Sequence, residues 1–378
     1  MIIVTPFYML ATSHPSFSSL FPLRMDDHLD DDSFSDVESD IFSTRSATSS
    51  ATSQDVSMRS GSPAPSVYSV TSSIRAASYR HEYGRGLNNY SEVYQLPADD
   101  EELDRLDMQH EMFKKIMGAY PPPMADVMAD THWETKSVLD LGCGSGSWIM
   151  EVACDFPHCQ AVAVDLVPMQ SVEMPPNCRS EVDDINIGLQ HFYGEFNVVH
   201  ARLISSGIKD FPTLIDHISQ CLRPGGLMEL LEFDFRVYDA SWKPFSPTAM
   251  DGPWFPRWMS YANMAVRQRG GTPDAANMLY SWTLQHQAFE DVVYEEYFIP
   301  TAPFMSCQDP NYRFMRAISE SFREDILAFL RSGRPLLLGS GLSESLVDEL
   351  QHRTHLELKE ARTISYIRVE RVYARKRS

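Results

Sequence analysis

The fold is legible first in LDLGCGSGSW, residues 139–148. The run Ser137–Leu141 is apolar enough for a central buried strand, and a helical stretch starts by Trp148. Gly142, Gly144 and Gly146 therefore fall where a strand turns into a helix. Without side chains they let a ligand approach the backbone, and the helix N-terminus offers free N–H groups.

Two details separate the cofactors such a turn can hold. A dinucleotide fingerprint is G-x-G-x-x-G, but here the register is G-x-G-x-G and position 147 is Ser. A P-loop would need a Lys after its last Gly, and none follows. Instead Asp140 lies two residues before Gly142, where a carboxylate suits a cationic amine rather than a pyrophosphate. Asp165 ends the next apolar run, AVAVD, 19 residues after Gly146. An acid there can take both hydroxyls of a ribose. An amine, a ribose and no phosphate describe S-adenosylmethionine.

Outward from the turn, short apolar runs alternate with helical stretches: SVLDLG, WIMEVACDF, AVAVDL, EFNVVHARL, TLIDHISQCL and GLMELLEF. That alternation predicts an α/β fold, a mostly parallel sheet with helices on both faces. SEVDDINIGL follows the third strand, so Asp183 and Asp184 are candidates for the adenine amine, Asp184 preferred, with the Ile185 backbone alongside. FNVVHARL is the fourth strand, and its end, Val199–Arg202, lies where open α/β sheets bind ligands. His200 and Ala201 are therefore candidates, with Cys143, Trp148 and Leu166 from the neighbouring turns. His200 is either a contact or base at the site or a hydrogen-bonded structural histidine. Arg202 either holds a carboxylate or pairs with an acid of the Asp104–Asp107 helix, the internal pair preferred. LRPGG (222–226) punctuates a helix and a buried strand.

Before the sheet, LPADDEELDRLDMQHEMFKKIMG has a helix start at Pro97 and the acidic turn Asp99–Glu102. Leu103, Leu106, Met108, Phe113, Ile116 and Met117 supply its apolar positions. FEDVVYEEYFIP and RTISYIRVERVYARKRS read as strands, and 310–352 between them reads as helical.

Composition bounds the function. The chain has 378 residues and a formal net charge of −20. That argues against a nucleic-acid or anionic-membrane binder. No run reaches the ~18 apolar residues of a membrane helix, and MIIVTPFYML lacks the basic start of a signal peptide. Six cysteines without a CxxC pair suggest reduced thiols and no zinc site, as in cytosol or nucleus. Residues 26–40 hold eight acids in fifteen, and a Ser/Thr-rich run follows to about 78. Such a tail is expected to be disordered, and to solubilise the chain or capture protein partners. Met25 opens it and is a second candidate start.

These residues resemble the class I S-adenosylmethionine-dependent methyltransferases, and more closely the fungal LaeA-like methyltransferase-domain family. The likeness spans roughly 79–378 and is carried by YRHEYGR, LPADDEELDRLDMQH, VDDI, VHARLISSGIKDFP and LRPGGLMELLEFD, with D-x-G-x-G-x-G and Trp at 140–148. It implies a seven-stranded sheet of order 3-2-1-4-5-7-6, its last strand antiparallel, and a helix at 99–117 covering the cofactor cleft. The expected organisation is a tail at 1–78, a covering helical segment at 79–135 and a catalytic domain at 136–378. Helical lid insertions are expected at 235–290 and 304–352. Asn197 departs from the acid many such enzymes carry in strand 4. Trp242, Trp254, Phe255, Trp258 and Tyr261 either line an aromatic acceptor pocket or form the core of the lid. Because the sulfonium carries its own leaving group, the protein mainly aligns nucleophile and methyl carbon. His200 is the first candidate base and His110 the second, with no metal. The expected function is methyl transfer to an O or N of a small-molecule acceptor, such as a secondary metabolite. The alternative is a LaeA-like nuclear regulator that binds the cofactor and works through protein partners.

Overall fold

The structure is a computed structural model and describes residues 76–169, 174–246, 252–304 and 312–378. Cys307, Met25 and all but the last three residues of the 1–78 tail lie outside the described residues. Seven strands form one sheet in the order β5-β4-β3-β6-β7-β9-β8. They are β3 (Lys136–Leu141), β4 (Cys159–Asp165), β5 (Cys178–Val182), β6 (Phe196–Arg202), β7 (Leu222–Tyr238), β8 (Phe289–Pro300) and β9 (Tyr366–Lys376). The first five are parallel neighbours, and β9 runs antiparallel to both β7 and β8. This is the order 3-2-1-4-5-7-6 that the resemblance implies, with the last strand inserted antiparallel between its two neighbours.

Side chains alternate strictly between two cores, as a pleated strand buried on both faces requires. Val138, Ala161, Ala163 and Val198 enter one core with α3 (Ser147–Asp155). Leu139, Leu141, Val162, Val164, Val199 and Ala201 enter the other with α4 (Phe211–Cys221). A third core lies over the far ends of β7 and β9. It is built by α5 (Trp254–Gln268), α7 (Tyr312–Ser332), α8 (Arg334–Gly339) and α9 (Glu344–Glu360). The helix α6 (Ala275–Gln285) packs on the second core.

Several local expectations are corrected. The covering segment opens with a hairpin, β1 (Tyr79–Glu82) and β2 (Arg85–Asn88), before α1 (Asp100–Met117) and the short α2 (Met124–Val127). Arg85 ties that hairpin to the α1 cap, donating twice to Asp99 at 2.7 Å, while Asp99 also caps Glu102 N. The buried face of α1 is largely polar: Glu102, Arg105, Gln109 and His110 join Met112 and Phe113, while Met108 is exposed. An apolar-spacing rule misses such a face because the partners that satisfy it are distant in sequence. LRPGG belongs to β7 itself, beside a register shift between Phe196 and Val198. Helix also continues past 352, to Glu360. The helices α5 and α6 lie within 235–290, and β8 separates them from α7, α8 and α9.

Asn197 is structural. Its Oδ1 accepts from Ser137 N at 3.0 Å and from Arg223 at 3.1 Å, and its Nδ2 donates to Glu134 at 2.9 Å. The amide thus joins the start of β3 to β6. Among the described residues no helix is long and apolar enough to cross a membrane.

Candidate active site

The glycine turn joins β3 to α3. Gly142 and Gly144 hold φ of +70° and +57°, the left-handed region that side chains resist. A Cβ on Gly142 would lie 2.5 Å from Ile204 Cγ2, and one on Gly144 would lie 2.8 Å from Leu106 Cδ1. The covering helix α1 therefore closes directly over the turn. Gly146 caps α3 and does not line the cavity.

Asp165 ends β4 beside this turn, and its Oδ2 accepts Gly144 N–H at 2.9 Å. Burial pushes its carboxyl up to about 6. Leu166, Asp183, Asp184 and Ile185 line the same cavity. Asp183 pairs with His191 at 3.3 Å. Asp184 Oδ1 holds the loop through Asn186 N (3.0 Å) and Nδ2 (2.8 Å).

Asp140 and His200 are register partners on β3 and β6, so their side chains meet: Nδ1 lies 2.7 Å from Oδ1. Both side chains are almost fully buried. Trp148 stacks on the His200 ring, centroids 3.8 Å apart. Trp148 thus acts behind His200 and does not line the main cavity, and Ala201 is buried in the sheet core. Both Asp140 and Cys143 line the cavity, the Cys143 thiol pushed well up by burial.

The expected partner of Arg202 is corrected. No carboxylate among the described residues lies within 4 Å of its guanidinium. It donates instead to His110 Nδ1, at 3.4 and 3.3 Å, and sits over the Phe113 ring. His110 then donates through Nε2–H to Glu151 at 2.8 Å. Burial lowers the His110 pKa, with Arg202 adding to that effect. His110 lines a smaller adjoining cavity, not the main one. Arg202 reaches both.

Beyond the turn the cavity continues into a chamber of phenylalanines. Phe233 and Phe235 come from β7, Phe255 and Met259 from α5, and Phe322, Ile326 and Phe329 from α7. Of the five aromatic residues singled out from 235–290, only Phe255 lines it. Trp258 is wholly buried in the lid core, Trp254 and Tyr261 pack against that core, and Trp242 packs at a tilt against Phe298 and Tyr366. Phe322, Asp325, Ile326 and Phe329 went unread in the sequence, yet they fall at i, i+3, i+4 and i+7, one face of a helix. Arg105 and Gln109 from α1 and Tyr94 complete the wall.

The residues fit an adenosyl amino acid. The turn leaves no room for side chains at two glycines, Asp165 is a half-buried carboxylate beside backbone N–H groups, and a guanidinium with no carboxylate among the described residues within 4 Å and a buried acid lie further in. No lysine is among the lining residues.

Comparison with known proteins agrees. The model of a methyltransferase-domain family matches residues 108–284. The secondary metabolism regulator LaeA of Coprinopsis cinerea is 47% identical over 303 residues, covering 79% of this chain and 74% of that protein. Methyltransferase PytC of Aspergillus terreus is 29% identical over 272 residues, 71% of this chain and 78% of that protein. The protein-methionine methyltransferase LaeA of Emericella nidulans is 31% identical over 179 residues, covering 47% of this chain and 46% of that protein. The chain belongs to the LaeA-like family of S-adenosylmethionine-dependent methyltransferases.

Proposed function

We propose that this chain methylates an apolar small-molecule acceptor, at an oxygen or nitrogen, with the acceptor seated in the phenylalanine chamber. One observation carries the reading: a single cavity runs from the glycine turn and Asp165 to that chamber. S-adenosylmethionine, when bound, supplies an electrophilic methyl on a sulfonium. Asp165 takes the ribose hydroxyls, and Asp184 takes the adenine amine beside Ile185. Gly142, Cys143 and Gly144 present backbone, and Asp140 takes the ammonium. Arg202, a cation with no acid of its own, takes the carboxylate. The closed lid core excludes water, so aligning the acceptor supplies much of the rate. Asp140 holds Nδ1–H of His200, which leaves Nε2 to take the proton of an acceptor hydroxyl. His110 positions Arg202.

A second reading draws on the same apolar chamber. Methylation of a thioether releases no proton and needs no base, and one relative is named a protein-methionine methyltransferase. In that reading the acceptor is a protein side chain, and the regulatory role of the relatives runs through it.

Calorimetric titration of the full chain with S-adenosylmethionine and S-adenosylhomocysteine tests the common part. One site for each is expected. Failure of both to bind would remove methyl transfer as the function.

A further inference from the structure

A three-residue cluster at the chamber wall carries an excess negative charge. Glu102 accepts from Arg105 Nε at 3.1 Å and Nη2 at 2.6 Å, and Asp325 Oδ1 accepts from Nη1 at 2.7 Å. One guanidinium thus faces two carboxylates, and none of the three side chains is more than 6% exposed. Glu102 takes two of the three Arg105 bonds and also the Ser332 hydroxyl. Asp325 Oδ2 has only the neutral Gln109 amide, at 3.2 Å. Of the two acids, Asp325 is the one that lines the cavity, between Phe322, Ile326 and Phe329. The excess negative charge therefore sits at the chamber wall, in apolar surroundings where an uncompensated charge is costly. Burial raises the Asp325 pKa accordingly.

We propose that Asp325 selects the acceptor: a molecule with an apolar, aromatic-sized body and a protonated amine that donates to this carboxylate. The proposal rests on the small-molecule reading above. An ammonium neutralises the wall and makes a charge-assisted hydrogen bond, and the surrounding phenylalanine faces attract it further. A neutral alcohol makes only the weaker bond, and a carboxylate is repelled. An ammonium has no lone pair, so the group held by Asp325 is a handle. The nucleophile is a second atom of the same molecule. Asp325 is thus a specificity residue.

The test is calorimetry on the full chain, with and without S-adenosylhomocysteine, using phenethylamine, phenethyl alcohol and phenylacetate. Phenethylamine is expected to bind about tenfold more tightly than the alcohol, the difference between a charged and a neutral hydrogen bond. With S-adenosylhomocysteine occupying Arg202, phenylacetate is expected not to bind. Asp325→Asn removes the amine's advantage while leaving Glu102 and Arg105 as a neutral pair, and retained S-adenosylhomocysteine binding shows that variant folded. Phe322→Ala is the second variant: it opens the chamber without touching the charge and weakens amine and alcohol alike. Equal affinity for amine and alcohol overturns the proposal. So does an amine preference that survives Asp325→Asn, since attraction to a chain of net charge −20 then explains it. So does amine binding that Phe322→Ala leaves unchanged. An amine preference sensitive to Asp325→Asn without any S-adenosylhomocysteine binding upholds the Asp325 site and overturns the cofactor reading instead.

Discussion

Asp165→Asn is expected to stabilise the free protein while weakening its hold on cofactor. The Asp165 carboxyl moves from an ordinary 3.8 to about 6, chiefly because burial disfavours its charge. That difference corresponds to about 3 kcal/mol. Asp165 keeps some access to solvent, and screening reduces the figure to about 1–2 kcal/mol. The folded protein holds this proton more tightly than the unfolded chain does. Stability therefore falls as pH rises from about 4 to about 6, and the penalty is complete at pH 7. An amide avoids it and still offers an oxygen to Gly144 N–H, which donates to Asp165 at 2.9 Å. Denaturant unfolding of the full chain should show Asp165→Asn more stable by about 1–2 kcal/mol at pH 7, about half that at pH 5, and equal to the parent near pH 4. In the same preparation, loss of the ribose hydrogen bonds should weaken S-adenosylhomocysteine by about 2 kcal/mol, roughly thirtyfold. A destabilised variant would mean that the carboxylate is a structural strut. Unchanged affinity would move the ribose elsewhere.

Three further outcomes follow from the site. Gly144→Asp should abolish S-adenosylhomocysteine binding in a titration, because even its Cβ meets Leu106 at 2.8 Å and φ is +57°; retained affinity would make the turn a mere connection. Arg202→Met should weaken S-adenosylhomocysteine roughly tenfold or more and leave methylthioadenosine, which lacks the carboxylate, unchanged. An equal loss for both ligands would show that Arg202 serves the fold instead. Asn197→Ala should cost about 1–3 kcal/mol in denaturant unfolding, since it leaves the buried Ser137 N–H without its acceptor, while cofactor affinity stays constant.

The cofactor end was legible in the sequence because its signals are local. A buried strand, a glycine turn, a helix and an acid at the next strand's end lie within 29 residues, from Ser137 to Asp165. Backbone chemistry there depends on near neighbours, so type and spacing suffice. The order of the sheet came from resemblance, and the register bears it out through the strict alternation of Leu139, Val162 and Val199 against Val138, Ala161 and Val198. His200 illustrates the boundary. Its place at the end of β6 was readable, but its bond to Asp140 and its stack on Trp148 depend on strands meeting in register.

The acceptor end belongs to tertiary structure. Arg105 and Asp325 lie 220 residues apart, and only the packing of α1 on α7 makes them partners. For that reason a polar face on α1, unreadable as amphipathic, is the buried one. Arg202 likewise meets His110, 92 residues away, rather than the acids preceding it on the same helix. Aromatic residues in a single stretch suggested a pocket, yet of the five singled out there only Phe255 lines it, and its other phenylalanines come from α1, β7 and α7. The sequence by itself determined the sheet and the kind of cofactor, since both are written in short-range periodicity. Which charges face each other, and so what the acceptor chamber can accept, was decided only when distant helices packed and took their side chains out of water.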